Sequence, residues 1–482
     1  MSGGDYTLPP AEVETGVSLA LIEEGPPSPK LPPRQWVRQN LFNSSLNSAI
    51  TIVFGVVALY LGFRFFRFLF LTAHWAPVGR NLTNFMMGRF PRDEQWRVIV
   101  QTYLLAGAAG LAWGAVIGVA RQRTDEAGVE SAEEPLPRRL RRYWALGLFV
   151  ASLVVATRTV LPSLFILSAL ALLVGLQWVA AHLPHGARGA VWALALVVAV
   201  GSFQVVIGTG GSAWMWVAVP LAWAAVRAVG RVHAPGPLAR LGLRIGAAVV
   251  VIVVVRVVYS FLEVDGVGWD KWEGLHLTVF SSFTAIVLAF PFGLLLALGR
   301  RSSFPAMRLM STIYIELIRG VPLISLLLMG QFFIGFFLNT DNPLSQLTRA
   351  IAAMTLFTAA YVAEIVRGGL QAVPKGQVEA SQALGLGPPA TMRLIVLPQA
   401  LRAVIPAMVG QFISLFKDSS LLSIVGILEF LGVRSIVHAQ ADFRNLGISE
   451  TLVFVAFGFW AIAFTMSRES QRLERRLGVG ER

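Results

Sequence analysis

The chain has 482 residues, of which 55% are hydrophobic and only 14% charged, where a soluble domain carries about 25% charged residues. With a mean hydropathy of +0.65 this composition excludes an ordinary soluble protein. The formal charge of +13 sits mostly between apolar segments, which excludes a basic-aromatic nucleic-acid module and fits Lys- and Arg-rich cytoplasmic loops. Cysteine is absent, so disulfides, thiolate metal sites and Cys nucleophiles are excluded.

In chain order, residues 1–47 are expected to form a disordered cytoplasmic tail, because the first 35 are polar, Pro-rich and acidic (Glu12, Glu14, Glu23, Glu24) with no cleavable leader. A spanning helix needs roughly 20 mostly apolar residues. Segments of that kind are expected at about 48–72, 98–120, 143–158, 160–182, 189–207, 212–229 and 240–262. Arg64 and Arg67 in the first of these can snorkel to an interface. Arg121, Arg123, Arg138, Arg139, Arg141 and Arg142 put the following loop in the cytoplasm, and Arg227, Arg231, Arg240 and Arg244 do the same for a later one. A Gly-, Asp- and Trp-rich turn, Val264 to Glu273, precedes five more spans at about 274–299, 304–338, 346–372, 400–428 and 449–467. The expected fold is therefore an all-α polytopic membrane protein of about 12 transmembrane helices. It divides into a seven-span extension at 48–263, a five-span core at 264–470 and a charged tail at 471–482, with both termini cytoplasmic.

Between the third and fourth core spans lies a long polar stretch that the same count places in the cytoplasm. It contains Glu379-Ala380-Ser381, Gly385 and, after nine residues, Ile395-Val396-Leu397-Pro398. A short helix is expected over Glu379 to Leu384, stopped by Gly385 and by Gly387-Pro388-Pro389. A second is expected over about Ala390 to Leu397, with Pro398 breaking the chain. A helix–turn–helix with a small-residue surface suits docking into another protein's groove better than catalysis.

This pattern resembles the EAA loop of type I ABC importer permeases, with Ser381 at the position of the second Ala. Leu277-Thr278, Tyr314 to Leu323, Ala360 to Gly369 and Lys417-Asp418-Ser419-Ser420-Leu421 are similar to the polar-amino-acid branch of that family. The seven extra spans resemble the larger permeases of general L-amino-acid importers, with weaker support from Arg89 to Arg97. The resemblance implies a coupling helix made by Glu379, Ala380, Ser381, Gly385, Ile395, Leu397 and Pro398. It implies a chain without its own cofactor, working with two ATP-binding subunits that carry ATP and Mg, a second and different permease, and a periplasmic amino-acid-binding protein. No P-loop of the form Gly-x-x-x-x-Gly-Lys-Ser/Thr occurs in the sequence.

Charges at membrane depth face cavities or partners. Glu316 and Arg319 share a helix face ahead of a break at Gly320 and Pro322. They are expected to pair with each other or to contact substrate. Glu364, among Ala359, Ala360 and Ala363, is the first candidate for substrate contact, with pairing to Arg367 or Arg319 as the other reading. Thr278 is a further candidate in the same pathway. Lys417, Asp418 and Ser419 are expected inside the fourth core span as gate or interface residues. His276, His438 and the other histidines lack metal-ligand spacing. An ion-driven secondary transporter or channel acting without an ATPase is the alternative reading. It would call for inverted repeats with paired broken helices.

Overall fold

The computed structural model describes residues 32–126, 141, 143–157, 160–184, 187–208, 213–229, 236–261, 265–337 and 344–477. Residues 1–31 of the tail expected at 1–47 lie outside them, as do the loop residues Arg138, Arg139, Arg142, Arg231 and Val264. Among the described residues the secondary structure is helical, apart from one isolated β-bridge between Gly274 and Glu429.

The chain divides into two compact units, Met1–Ala73 and His74–Arg482. In the first, α1 covers Pro33–Leu41 and α2 covers Ser45–Arg67, continued by a π-helical turn to Thr72. The expected tail is thus helical from Pro33, since Pro at a first helical position costs no hydrogen bond. Ser44 caps α2 by accepting from the Asn47 amide at 3.2 Å. The span of α2 buries none of its apolar residues within this unit, as expected of a helix whose partner is lipid.

The second unit begins with short helices α3 (Ala76–Arg80) and α4 (Leu82–Met87), followed by the long α5 (Gln95–Glu126). Then come α6 (Trp144–Thr157), α7 (Val160–His182), α8 (Arg188–Ile207), α9 (Ala213–Val229) and α10 (Pro237–Phe261). The next group is α11 (Gly274–Arg300), α12 (Pro305–Arg319), α13 (Leu323–Phe337) and α14 (Gln346–Ala372). It closes with α15 (Lys375–Ala383), α16 (Pro388–Thr391), α17 (Leu397–Asp418), α18 (Arg434–Ala439) and α19 (Ile448–Leu477).

Each of the twelve expected segments contains helix among the described residues, but not all form straight spans. Nine helices among the described residues are long and apolar enough to cross a membrane, and a tenth crossing would need α12 and α13 together. Those two meet at 105°, so the segment expected at 304–338 is two helices. Pro322 has no amide hydrogen to continue α12, and the chain turns at Gly320 and Val321. The apolar parts of α6 and α9 (Trp144–Ala156 and Val217–Val226) are shorter than a span. The 14 residues of α6 reach about 21 Å, less than a hydrocarbon core of about 30 Å.

The boundary expected at 263/264 is not a boundary of packing. Phe90, Val98 and Val206 from the extension share one buried cluster with Leu277, Leu327, Met354 and Leu415. Polar ties cross the same border: the His276 Nε2 lies 2.7 Å from the Gln101 Oε1, and Arg97 donates to the Val205 carbonyl at 3.0 Å. The buried Glu273 carboxylate accepts from the Arg89 backbone amide at 2.7 Å and from its guanidinium at 2.7 Å. That pairing holds the guanidinium firmly protonated, above the usual arginine range. The polar stretch from α3 to residue 94 is therefore a brace laid on α11 and α19.

Small residues set the helix spacing, as they do in membrane bundles where dispersion replaces the hydrophobic effect between helices. A Cβ on Gly293 would lie 2.6 Å from Val362 Cβ, and one on Gly369 would lie 2.5 Å from Val404 Cγ1 and 2.6 Å from the Ala400 carbonyl oxygen. These contacts seat α11 on α14 and α14 on α17. Gly369→Leu is expected to push α17 away and lower the thermal midpoint of the detergent-purified chain, at a cost of about 2–3 kcal/mol for overpacking. Gly368→Leu, where nothing lies within 4 Å of the new Cβ, serves as the control. Equal midpoints for the two variants would refute this assignment of the contact.

Candidate functional site

The loop between α14 and α17 has a defined shape. α15 ends in a Schellman motif: the Gly385 amide donates to the Gln382 carbonyl at 2.9 Å and the Leu386 amide to the Ser381 carbonyl at 3.0 Å. Gly385 has φ +78°, a left-handed conformation that glycine adopts without strain. Ser381 is buried under the turn. Its hydroxyl donates to the Val378 carbonyl at 2.7 Å and lies 3.0 Å from the Thr391 Oγ1, so it pins α15 to α16. Glu379, Ala380 and Gly385 are exposed, as is Leu384 at 81%. Ile395 and Leu397 are half-buried, and Pro398 is exposed.

Pro398 does not break the chain as expected. The π-helical turn Met392–Val396 precedes it and leads directly into α17, so Pro398 falls in the first turn of that helix. A proline lacks an amide hydrogen and crowds the carbonyl four residues back. The wider turn gives that ring room. The docking loop and the fourth core span are thus one continuous helical element from Pro388 to Ser423.

Five charged residues meet where α11, α12 and α14 come together. Glu364 accepts from Arg367 Nε at 2.8 Å and from Arg300 Nη1 at 3.2 Å, with Arg319 Nη1 at 3.9 Å. Arg300 also donates to Glu316 at 2.8 Å. The Arg319 guanidinium lies 5.6 Å over the Tyr361 ring. Glu316 and Arg319 therefore turn to different partners instead of to each other. Arg300, which sequence reasoning missed, bridges the two carboxylates of the cluster. Its signal was its place in the final turn of α11, where a cation complements the helix dipole. The cluster sits toward the α15 end of the bundle: Glu364 is eight residues, or about 12 Å, before the end of α14 at Ala372.

The other candidates lie toward the opposite end. Thr278 is fully buried. Its hydroxyl oxygen accepts from the Phe430 amide at 3.0 Å, and its hydroxyl lies 3.3 Å from Glu429. Glu429, also missed, is fully buried and accepts from the Leu431 and Gly432 amides at 2.9 and 2.8 Å. Burial pushes its carboxyl up to about 7. Lys417 and Asp418 occupy the final turn of α17, not its interior. The span begins and ends earlier than the expected 400–428, running from Pro388 to Ser423, because the π-turn Met392–Val396 joins α16 to α17 without a break. Lys417 is exposed, Asp418 is half-buried, and the buried Ser419 donates to the Phe416 carbonyl at 2.6 Å. Among the described residues no group of three or more His, Asp or Glu side chains is arranged to hold a metal.

The sequence profile of the family described as "binding-protein-dependent transport system inner membrane component" matches residues 289–479. The probable glutamine ABC transporter permease protein GlnP of Bacillus subtilis is 34% identical over 206 residues, covering 42% of this chain and 92% of that protein. The chain belongs to this family. Family membership rests on α11 to α19, the part that holds the loop and the charged cluster.

The inner membrane amino-acid ABC transporter permease protein YhdY of Escherichia coli K12 is 46% identical over 222 residues. The glutamate/glutamine/aspartate/asparagine transport system permease protein BztC of Rhodobacter capsulatus is 42% identical over 216 residues. The matched regions span 60% and 49% of those two relatives, and 46% and 45% of this chain. Among solved structures, a crystal structure of an amino acid ABC transporter with histidines is 32% identical, covering 42% of this chain and 92% of that one, with a TM-score of 0.39.

Proposed function

We propose that the chain is a permease subunit of an ATP-driven importer that carries amino acids from periplasm to cytoplasm by alternating access. The observation that supports this reading best is the α15–α16 loop. It is a rigid element with an exposed tip, continuous through the π-turn with α17, so a displacement of the tip moves a core span directly. The tip (Glu379, Ala380, Leu384, Gly385) would seat in a groove of an ATP-binding subunit, two copies of which hold ATP and Mg and perform hydrolysis. A second permease completes the pathway, and an amino-acid-binding protein delivers substrate at the opposite face. With the loop in the cytoplasm, α17 and α19 bring the C-terminus back to that side, and ten crossings, α12 and α13 counting as one, would put the N-terminus there too.

The names of YhdY, BztC and GlnP support amino acids as the substrate class. The cluster of Arg300, Glu316, Arg319, Glu364 and Arg367 would act as an ion-paired closure near the cytoplasmic mouth, and Lys417, Asp418 and Ser419 would meet the second permease. Thr278 would order the outer end of the pathway.

The test is a pull-down of the tagged chain from its own membranes in mild detergent, wild type beside Glu379→Arg/Gly385→Pro. Proline cannot adopt the φ of +78° at Gly385, so the double variant removes both the tip charge and the turn. Wild type is expected to retain an ATPase and a second permease, and the variant to retain the permease alone. A wild-type chain recovered without an ATPase would overturn the reading in favour of an ion-driven carrier.

A further inference from the structure

The segment between α17 and α19 lies at the end of the bundle opposite the α15 loop, because α17 crosses between them. A cleft of about 370 Å³ opens there, lined by Ser423, Leu428, Leu431, Arg434, Ser435 and His438, within the size range of small-molecule sites. Arg434 is half-buried, and burial lowers its pKa. Its guanidinium is fixed by two bonds, Nε to Thr451 Oγ1 at 3.1 Å and Nη2 to the Ile448 carbonyl at 3.2 Å. The His438 Nε2 lies 2.9 Å from the same Thr451 hydroxyl.

No carboxylate of a described residue pairs with Arg434. Three near it in sequence are engaged elsewhere: Glu429 with the Leu431 and Gly432 amides, Asp442 with the Arg80 guanidinium at 3.8 Å, and Glu450 with the His74 amide at 2.7 Å. A partly desolvated guanidinium without a counter-ion, oriented and with Nη1 uncommitted, is suited to bind an oxyanion in planar fashion. The Ser423 and Ser435 hydroxyls donate to the Ser420 and Gly432 carbonyls at 2.7 and 2.8 Å. Their oxygens keep lone pairs that can accept from an ammonium. The cleft therefore offers a cation and hydroxyl acceptors together, which is the complement of a zwitterion.

We infer that this cleft is an entry subsite that holds the α-carboxylate of a free amino acid on Arg434 before it reaches the core spans. The inference rests on the importer reading, which sets the outward face and the substrate class. The subsite acts by orientation: the Thr451 and Ile448 contacts keep the guanidinium aimed, so little conformational freedom is lost when the carboxylate binds.

The test uses the full chain in phosphatidylcholine vesicles and arginine-selective phenylglyoxal, with modification of each arginine followed by peptide mass spectrometry. L-glutamine, L-glutamate and L-alanine at millimolar concentration are expected to slow modification of Arg434 several-fold, while the corresponding α-amides leave it unchanged. The exposed Arg80 reports any general effect of the solutes. Equal rates with acids and amides would overturn the inference. So would protection of Arg434 that arises only when phosphatidylglycerol is added, since a lipid phosphate would then be the occupant. This outcome is independent of the ATPase pull-down: a chain that retains its ATPase but shows no protection loses the subsite and keeps the importer reading.

Discussion

Glu364→Ala is expected to destabilise the chain more than the loss of any one of the arginines around it. Glu364 alone faces three guanidinium groups, from Arg300, Arg319 and Arg367. Its removal leaves Glu316 as the sole counter-charge in the cluster, and removing one partner of a buried pair costs about 3–5 kcal/mol. These side chains are 21–36% exposed, and Glu316 is 59% exposed, so solvent screening brings the expected cost to about 2 kcal/mol. Arg367→Ala should cost less, because Arg300 still neutralises Glu364. The double variant Glu364→Ala/Arg367→Ala should be no worse than Glu364→Ala alone, since it removes a repelling charge along with the carboxylate. Thermal midpoints of the four purified chains in one detergent provide the check. Additive losses would mean that the cluster is a set of independent surface pairs. The same cycle run on amino-acid uptake then asks whether the closure is functional: a gate would alter transport rate in variants whose midpoints match.

The second large effect is one of pH. Glu429 titrates at about 7 in the folded chain against an ordinary 4.5, chiefly because burial penalises its charged form. The folded state therefore holds a proton that the unfolded state releases first. The associated stability is fully present below about pH 4.5 and is lost as pH rises through about 7. The interval corresponds to about 3 kcal/mol. Wild-type midpoints are thus expected to fall between pH 5 and 8 to a degree that Glu429→Gln abolishes. At about pH 8 the variant should be the more stable by about 2 kcal/mol, after allowance for one weakened amide contact at Leu431 or Gly432. Parallel pH profiles for the two chains would show that the carboxyl is charged in place, held by its two backbone donors. Because Glu429 also meets Thr278, the titration would be felt where α11 begins.

Much of this protein was legible in its sequence for a physical reason. A bilayer imposes length and apolarity on each spanning segment, so the helices long enough to cross stand out without any knowledge of their packing, whereas α6 and α9, expected as spans, are apolar but too short among the described residues. The α15 loop was legible as well, because a Schellman stop needs a glycine at one position and Gly385 occupies it. Local rules stopped short where a neighbour decides the outcome. Pro398 reads as a break in isolation, yet the π-turn before it absorbs the ring and carries the helix on. The break at Gly320 and Pro322 is legible in the sequence, but its 105° angle is set by the tertiary structure.

Pairing was the larger gap. Glu364 carried two readings from sequence, and the structure places it among arginines from three helices, with Arg300 reaching it from 64 residues away. Such partners depend on which helix faces touch, and the spacing along one helix does not contain that information. The same holds for the border at residue 263. Composition separates an extension from a core there, while Phe90, Val98 and Val206 enter the core's own cluster. Apolarity, loop charge and the glycine stop were determined by the sequence itself, since each acts over a few residues. Counter-ions, close helix approaches at Gly293 and Gly369, and the cleft around Arg434 were decided only by tertiary structure, because each needs atoms brought together from distant parts of the chain.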